Sequence, residues 1–118
     1  MKKGSSSFVL AREWAAYLQR YDHDVKRTRN GNALSSRNGA GTRFRWLFAH
    51  STDSTLRLTA SDHEYLERQA RHARQAGERP YLVVKFEQPE PKLLVLPAAK
   101  AARTRLLSAK QGGIPWDA

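Results

Sequence analysis

Two short apolar runs constrain this chain most: Tyr81-Leu82-Val83-Val84-Lys85-Phe86 and Leu93-Leu94-Val95-Leu96. Between them lies Glu87 to Lys92, which carries Pro89 and Pro91. Near-continuous apolar runs of this length mark strands covered on both faces. The pair therefore reads as a hairpin, or at least as two adjacent strands in the middle of a sheet. Such a sheet needs amphipathic helices as cover.

The chain contains them. Leu10, Trp14, Tyr17 and Leu18 fall at i, i+4, i+7 and i+8, with Ala11 and Ala15 beside them. That spacing predicts a helix over about Phe8 to Arg20, capped by one of Ser5, Ser6 or Ser7. Ser61-Asp62-His63-Glu64 reads as a capping box, Leu66, Ala70 and Ala73 keep a helical stripe, and Gly77 supplies a left-handed stop. Ala98 to Ala109 reads as a third helix.

Strands fill the remaining segments. One short strand is expected over about Asp24 to Arg29, followed by a polar loop with Asn30-Gly31-Asn32 and Asn38-Gly39 turns. Over Arg43 to Ser51, Phe44, Trp46, Phe48 and His50 alternate with Arg45, Leu47 and Ala49, the period of a strand. Leu56-Arg57-Leu58 is a short extended piece. The order is α-β-β-β-α-β-β-α, an α/β mixed sheet flanked by helices. One domain spans residues 1–111, and 112–118 form a short irregular tail.

Charge narrows the function. The net charge is +10, from 21 Lys and Arg against 11 Asp and Glu. Residues 1–58 hold 11 basic and 4 acidic residues, net +7, while residues 59–118 hold 10 and 7, net +3. Arg outnumbers Lys by 14 to 7, and the planar guanidinium fork suits phosphate better than a point-charge ammonium. A polyanion, nucleic acid above all, is the expected partner. Cysteine is absent, which excludes disulfides and thiolate metal sites and fits a cytoplasmic setting. No apolar run reaches the ~18 residues of a membrane span. The basic start at Met1 to Ser7 is followed by too few apolar residues for a signal peptide.

Three stretches carry a resemblance. Lys3-Gly4-Ser5-Ser6-Ser7-Phe8 with Ala11-Arg12-Glu13-Trp14 is the first. The second is Thr52-Asp53 and Leu56-Arg57-Leu58, followed by Asp62, Glu64, Leu66, Gln69 and Ala70. Gly77 and Pro80, then Leu82 to Phe86 and Val95-Leu96-Pro97, close the series. In this order the chain resembles the archaeal and phage Holliday-junction resolvases of the PD-(D/E)XK nuclease superfamily. The resemblance implies a restriction-endonuclease-like fold, DNA as partner and a homodimer. It also implies a Mg²⁺ site built from an Asp at one strand end, a Glu-x-Lys on the next strand and a first-helix Glu. Hard oxygen ligands are what Mg²⁺ requires.

Aligned on Thr52-Asp53, the Glu-x-Lys positions fall on Phe48-Ala49-His50, and the Asp position falls near Asn38-Gly39. Phenylalanine cannot ligate Mg²⁺. Glu13 alone matches the family's carboxylates, so the expectation is a catalytically inactive nuclease fold with no cofactor. Glu90-Pro91-Lys92 matches Glu-x-Lys literally but lies in the proline-rich turn, where a regular ladder is disfavoured.

The expected DNA-gripping cations are Lys2, Lys3, Lys26, Arg27, Arg29, Arg37, Arg43 and Arg45, in or beside the glycine- and asparagine-rich loop and at the N-terminus. Arg68, Arg71 and Arg74 read instead as partners of Glu64 and Glu67 along one helix. His50 reads as a part-buried, hydrogen-bonded imidazole, and His63 and His72 share no helical face. At least two of Phe44, Trp46 and Phe48 belong to the core, against base stacking as the other role. Two alternatives differ in class. One is an active Mg²⁺- or Mn²⁺-dependent resolvase with migrated ligands Glu13, Asp53 and His50. The other is a basic interaction factor of phage or mobile-element origin, anchored on a protein partner by Trp116.

Overall fold

The computed structural model of the protein describes residues 5–27, 33–112 and 114–115. Its elements are α1 (Ser5–Arg20), β1 (Asp24–Arg27), β2 (Ala33–Arg37), β3 (Arg43–Ser51), β4 (Thr55–Arg57), α2 (Ala60–Gln75), β5 (Arg79–Phe86), β6 (Lys92–Pro97), α3 (Ala98–Ala101), β7 (Leu106–Ser108) and β8 (Ile114–Pro115). Six strands form one sheet in the order β1-β2-β3-β5-β6-β8, and β4 pairs with β7 alongside it. Among the described strands of this sheet, only β3 and β5 run parallel. Their connection contains β4 and α2, as a parallel crossover requires.

Strand alternation divides the core in two. Leu34, Trp46, Phe48, Val83 and Leu93 pack against Leu10, Trp14 and Leu18 of α1. Leu47, Ala49, Leu82, Val84 and Phe86 meet Leu66 and Ala70 of α2 on the other face. Leu47, Leu82, Val83, Val84 and Phe86 are wholly buried, each stabilising the fold by about 1.5–3 kcal/mol. The covered-sheet expectation and the 81–86/93–96 hairpin are met, with the register Val83↔Val95.

Four local readings are corrected. The segment 33–37, expected as loop, is β2. It has little apolar pattern of its own, and it becomes a strand because β1 and β3 flank it. Its buried Ser36 hydroxyl accepts from Trp46 Nε1 at 2.8 Å and lies 3.1 Å from His23 Nδ1. The α2 capping box uses Thr59 and Asp62 rather than Ser61 and Glu64. Thr59 Oγ1 accepts from the Asp62 amide at 3.2 Å, and Asp62 Oδ2 accepts from the Thr59 amide at 2.8 Å. The earlier start puts the cap carboxylate of Asp62 in a buried position and leaves Ser61 and Glu64 exposed.

The expected helix over 98–109 lasts one turn. Leu106 is exposed while Leu107 is buried, a strand's alternation, and β7 pairs with β4 at Leu56↔Leu107. Ile114, placed in the irregular tail by its sequence, pairs with Leu93 at the sheet edge. The 30–32 turn, Lys2, Lys3, Arg29 and Trp116 lie outside the described residues. Elsewhere the turn chemistry holds: Gly77, at φ +75, ends α2, a conformation costly for any residue with a Cβ.

Candidate nucleic-acid interface

Two places invite a function, at opposite ends of β3. At its N-terminal end, cross-strand pairing sets Asp24, Arg37 and Arg43 in one row and Lys26, Ser35 and Arg45 in the next. Directly paired residues share a face, so both rows lie on the α2 side of the sheet. Within them Arg37, Arg43 and Lys26 reach solvent, while Ser35 and Arg45 are part-buried. The three exposed cations surround a hollow of about 260 Å³ that Glu78 also lines. Arg37 directly opposes Arg43, a like-charge pairing that costs stability. Asp24 relieves part of it through an exposed ion pair to Arg37 at 3.5 Å.

Two expected cations behave differently. Arg27 pairs with Leu34 and so belongs to the α1 face. The guanidinium of Arg45 forms an ion pair with Glu78 at 2.6 Å, with side chains 19% and 3% exposed. It neutralises a buried carboxylate and is not available to grip phosphate. Sequence reading overlooked Glu78, which follows the helix stop and gives no local signal of its burial. Asn38 holds the β2–β3 turn: its Oδ1 accepts from the Ala40 amide at 3.1 Å and the Thr42 amide at 2.9 Å.

Phe48 and His50 lie at the other end of β3. Seven strand steps separate Arg43 from His50, roughly 23 Å at ~3.3 Å per residue. Asn38, placed by the turn beside Arg43, is therefore not grouped with them. Phe48 is 5% exposed and belongs to the α1-side core. His50 pairs with Lys85 across the parallel ladder, and its Nε2 lies 2.9 Å from Glu87 Oε1. Lys85 Nζ lies 3.6 Å from the same oxygen. The part-buried, hydrogen-bonded histidine is as expected, but its partners were missed. Lys85 and Glu87 lie two residues apart where the apolar run ends, and that spacing was the available clue.

The His50 hydrogen bond, with Lys85 adding a smaller Coulombic pull, holds the Glu87 carboxyl below its ordinary pKa of 4.5. A depressed folded-state pKa contributes stability that is complete above the unfolded value and lost as pH falls through the folded one. Melting temperature should therefore fall more steeply in the wild type than in Glu87→Gln as pH drops below 4.5. Parallel curves would show that the contact contributes nothing.

Other candidates do not converge. Asp53 is exposed in the β3–β4 turn, where its amide donates to Ser51 Oγ, and Glu13 is half-buried on α1 with interactions of its own. No three His, Asp or Glu side chains among the described residues are placed to hold a metal ion. The set Glu13, Asp53 and His50 is therefore not assembled. Glu90 is exposed in the turn before β6. Trp46 and Phe48 are core, as expected of at least two strand aromatics, and half-buried Phe44 stacks on Trp46 at 5.4 Å. Arg68, Arg71 and Arg74 are exposed, and the expected ion pairs with Glu64 and Glu67 are not formed. No described helix is long and apolar enough to cross a membrane.

No family model matches the chain, and no curated protein matches it in sequence. Among solved structures it is similar to Hjc, a Holliday junction resolvase from the archaeal hyperthermophile Archaeoglobus fulgidus. The TM-score is 0.67 at 18% identity, covering 94% of this chain and 92% of that one. The helix-flanked mixed sheet is thus a resolvase-type nuclease fold.

Proposed function

We propose that this protein uses a resolvase-type fold to bind duplex or branched DNA without cutting it. One observation carries the reading: Arg37, Arg43 and Lys26 stand together and exposed on one face of the sheet, with two like charges directly opposed. A row that costs folding energy is explained when a polyanion relieves it. The similar resolvase fold, together with the net charge of +10, makes nucleic acid the best-supported polyanion.

The metal that such folds employ does not suit the residues present. Phe48 fills an apolar core where the resemblance puts a ligand, and Glu13, Asp53 and His50 form no metal-holding group.

Binding measured by fluorescence anisotropy over a salt series tests the proposal. Three phosphate contacts predict a log–log slope of about −2.7, hence roughly fortyfold weaker binding at 0.2 M than at 0.05 M salt. Salt-independent binding, or cleavage of four-way junctions with Mg²⁺ or Mn²⁺, would overturn this reading.

A further inference from the structure

The hollow that Lys26, Arg37 and Arg43 surround runs inward to Ser36 and Glu78, each 5% exposed. The end of α2 walls it on the side toward β5. The Arg43 guanidinium is turned that way, with Nη1 4.0 Å from where a Cβ on Gly77 would lie. Asp24 and Ser35 complete the lining. Lys26, Ser35, Arg37 and Arg43 belong to the two paired rows on the α2 side, so their side chains enter from one face. Two strand spacings of ~4.8 Å and one two-residue step of ~6.7 Å put the Lys26 and Arg43 backbones roughly 12 Å apart. Arg37 stands between them. Three long side chains so placed can close on one small group.

Charge narrows what such a hollow suits. Lys26, Arg37 and Arg43 supply three positive charges, and the Asp24 ion pair takes up one. The Glu78 carboxylate is already met by Arg45 at 2.6 Å and adds no free charge. The balance is two positive charges around a hollow with a buried floor. An internal phosphodiester carries one negative charge and must enter and leave that space with a nucleoside on each side. A terminal phosphomonoester carries about −1.5 to −2 at pH 7, offers three strong acceptor oxygens and enters end-on. Guanidinium forks meet such oxygens in pairs. Along a duplex each cation takes a separate diester; at an end all three turn onto one group.

We infer that this hollow seats the terminal phosphate of a DNA end, so that a phosphorylated end is preferred to a hydroxyl end. The inference rests on the nucleic-acid reading above and names the feature of the DNA that the site selects. The test compares one short, internally labelled duplex with hydroxyl, 5′-phosphate or 3′-phosphate ends, by anisotropy at ~0.15 M salt. At least one phosphorylated form should bind about tenfold tighter, the scale of an added hydrogen bond to a charged group. That advantage should fade between about pH 7.5 and pH 5, because the monoester loses its second charge near pH ~6. The hydroxyl-ended duplex, measured at each pH, corrects for titration of the protein. Lys26→Ala with Arg43→Ala should bring the ratio of the two affinities close to one; both side chains are exposed, and an unchanged thermal melt verifies the fold. Equal affinity for all ends, or a preference that survives either the substitutions or the fall in pH, would overturn the inference and leave DNA binding standing. Inorganic phosphate that displaces every duplex alike at matched ionic strength would assign the hollow to free phosphate and overturn it too. Failure to bind any of the duplexes would remove both readings.

Discussion

Phe48→Ala is expected to lower stability by about 3–5 kcal/mol, the range for emptying an aromatic site in a packed core. Phe48 touches both sides of the α1–sheet seam, in the cluster that includes Leu10, Trp14, Leu34 and Val83. A small domain is held by about 5–15 kcal/mol in total, so the urea midpoint should fall by a large fraction of its value. Phe48→Glu, which restores the carboxylate that the family resemblance places there, should be worse. It would bury a charge beside His50 and Lys85, both of which already contact Glu87. Urea melts followed by tryptophan fluorescence measure both, since Trp14 and Trp46 pack in the same cluster. Adding Mg²⁺ should leave the Phe48→Glu midpoint where it was, because one carboxylate is not a metal site. A Phe48→Glu protein that folds normally and is stabilised by Mg²⁺ would show that a metal centre is latent in the fold.

The second large effect lies at the other end of β3. Arg37→Glu combined with Arg43→Glu should reduce DNA affinity by on the order of a hundredfold at ~0.1 M salt. The salt slope should shrink from about −2.7 to about −0.9 or less, because two of three phosphate contacts are lost. Folding should barely change. The substitution turns the row into three carboxylates with Asp24, but all three positions are exposed and the repulsion is screened by salt, and the Asp24–Arg37 pair it removes is worth little. Arg45→Glu offers a contrast. That change would strip Glu78 of its buried partner and damage the fold before any binding could be read. If the Arg37/Arg43 change leaves affinity and slope intact, the cations that matter lie elsewhere.

These two sites show how unevenly the chain can be read. Covered strands at 81–86 and 93–96, the two long helices and the core roles of Trp46 and Phe48 were all legible, because each is written in neighbouring residues. β2 was not legible, because Ala33 to Arg37 has no convincing period and becomes a strand through β1 and β3. Ala98 to Ala109 misled, since an alanine-rich start resembles a helix until Leu107 is needed against β4.

The cations divide along the same line. Net charge, its bias to the first half and the excess of arginine over lysine are properties of composition, and these alone point to a polyanion. Which arginines are free to meet it is not. Arg45 is taken by Glu78, 33 positions later in the chain, and His50 by Glu87, 37 positions later. Arg37 and Arg43 are left facing each other by a tight turn and its register. Periodicity is a local signal, set by bond geometry within one or two turns of chain. Pairing register and the burial of charge depend on residues that meet only after the sheet closes, so only the tertiary structure could separate a structural arginine from an available one.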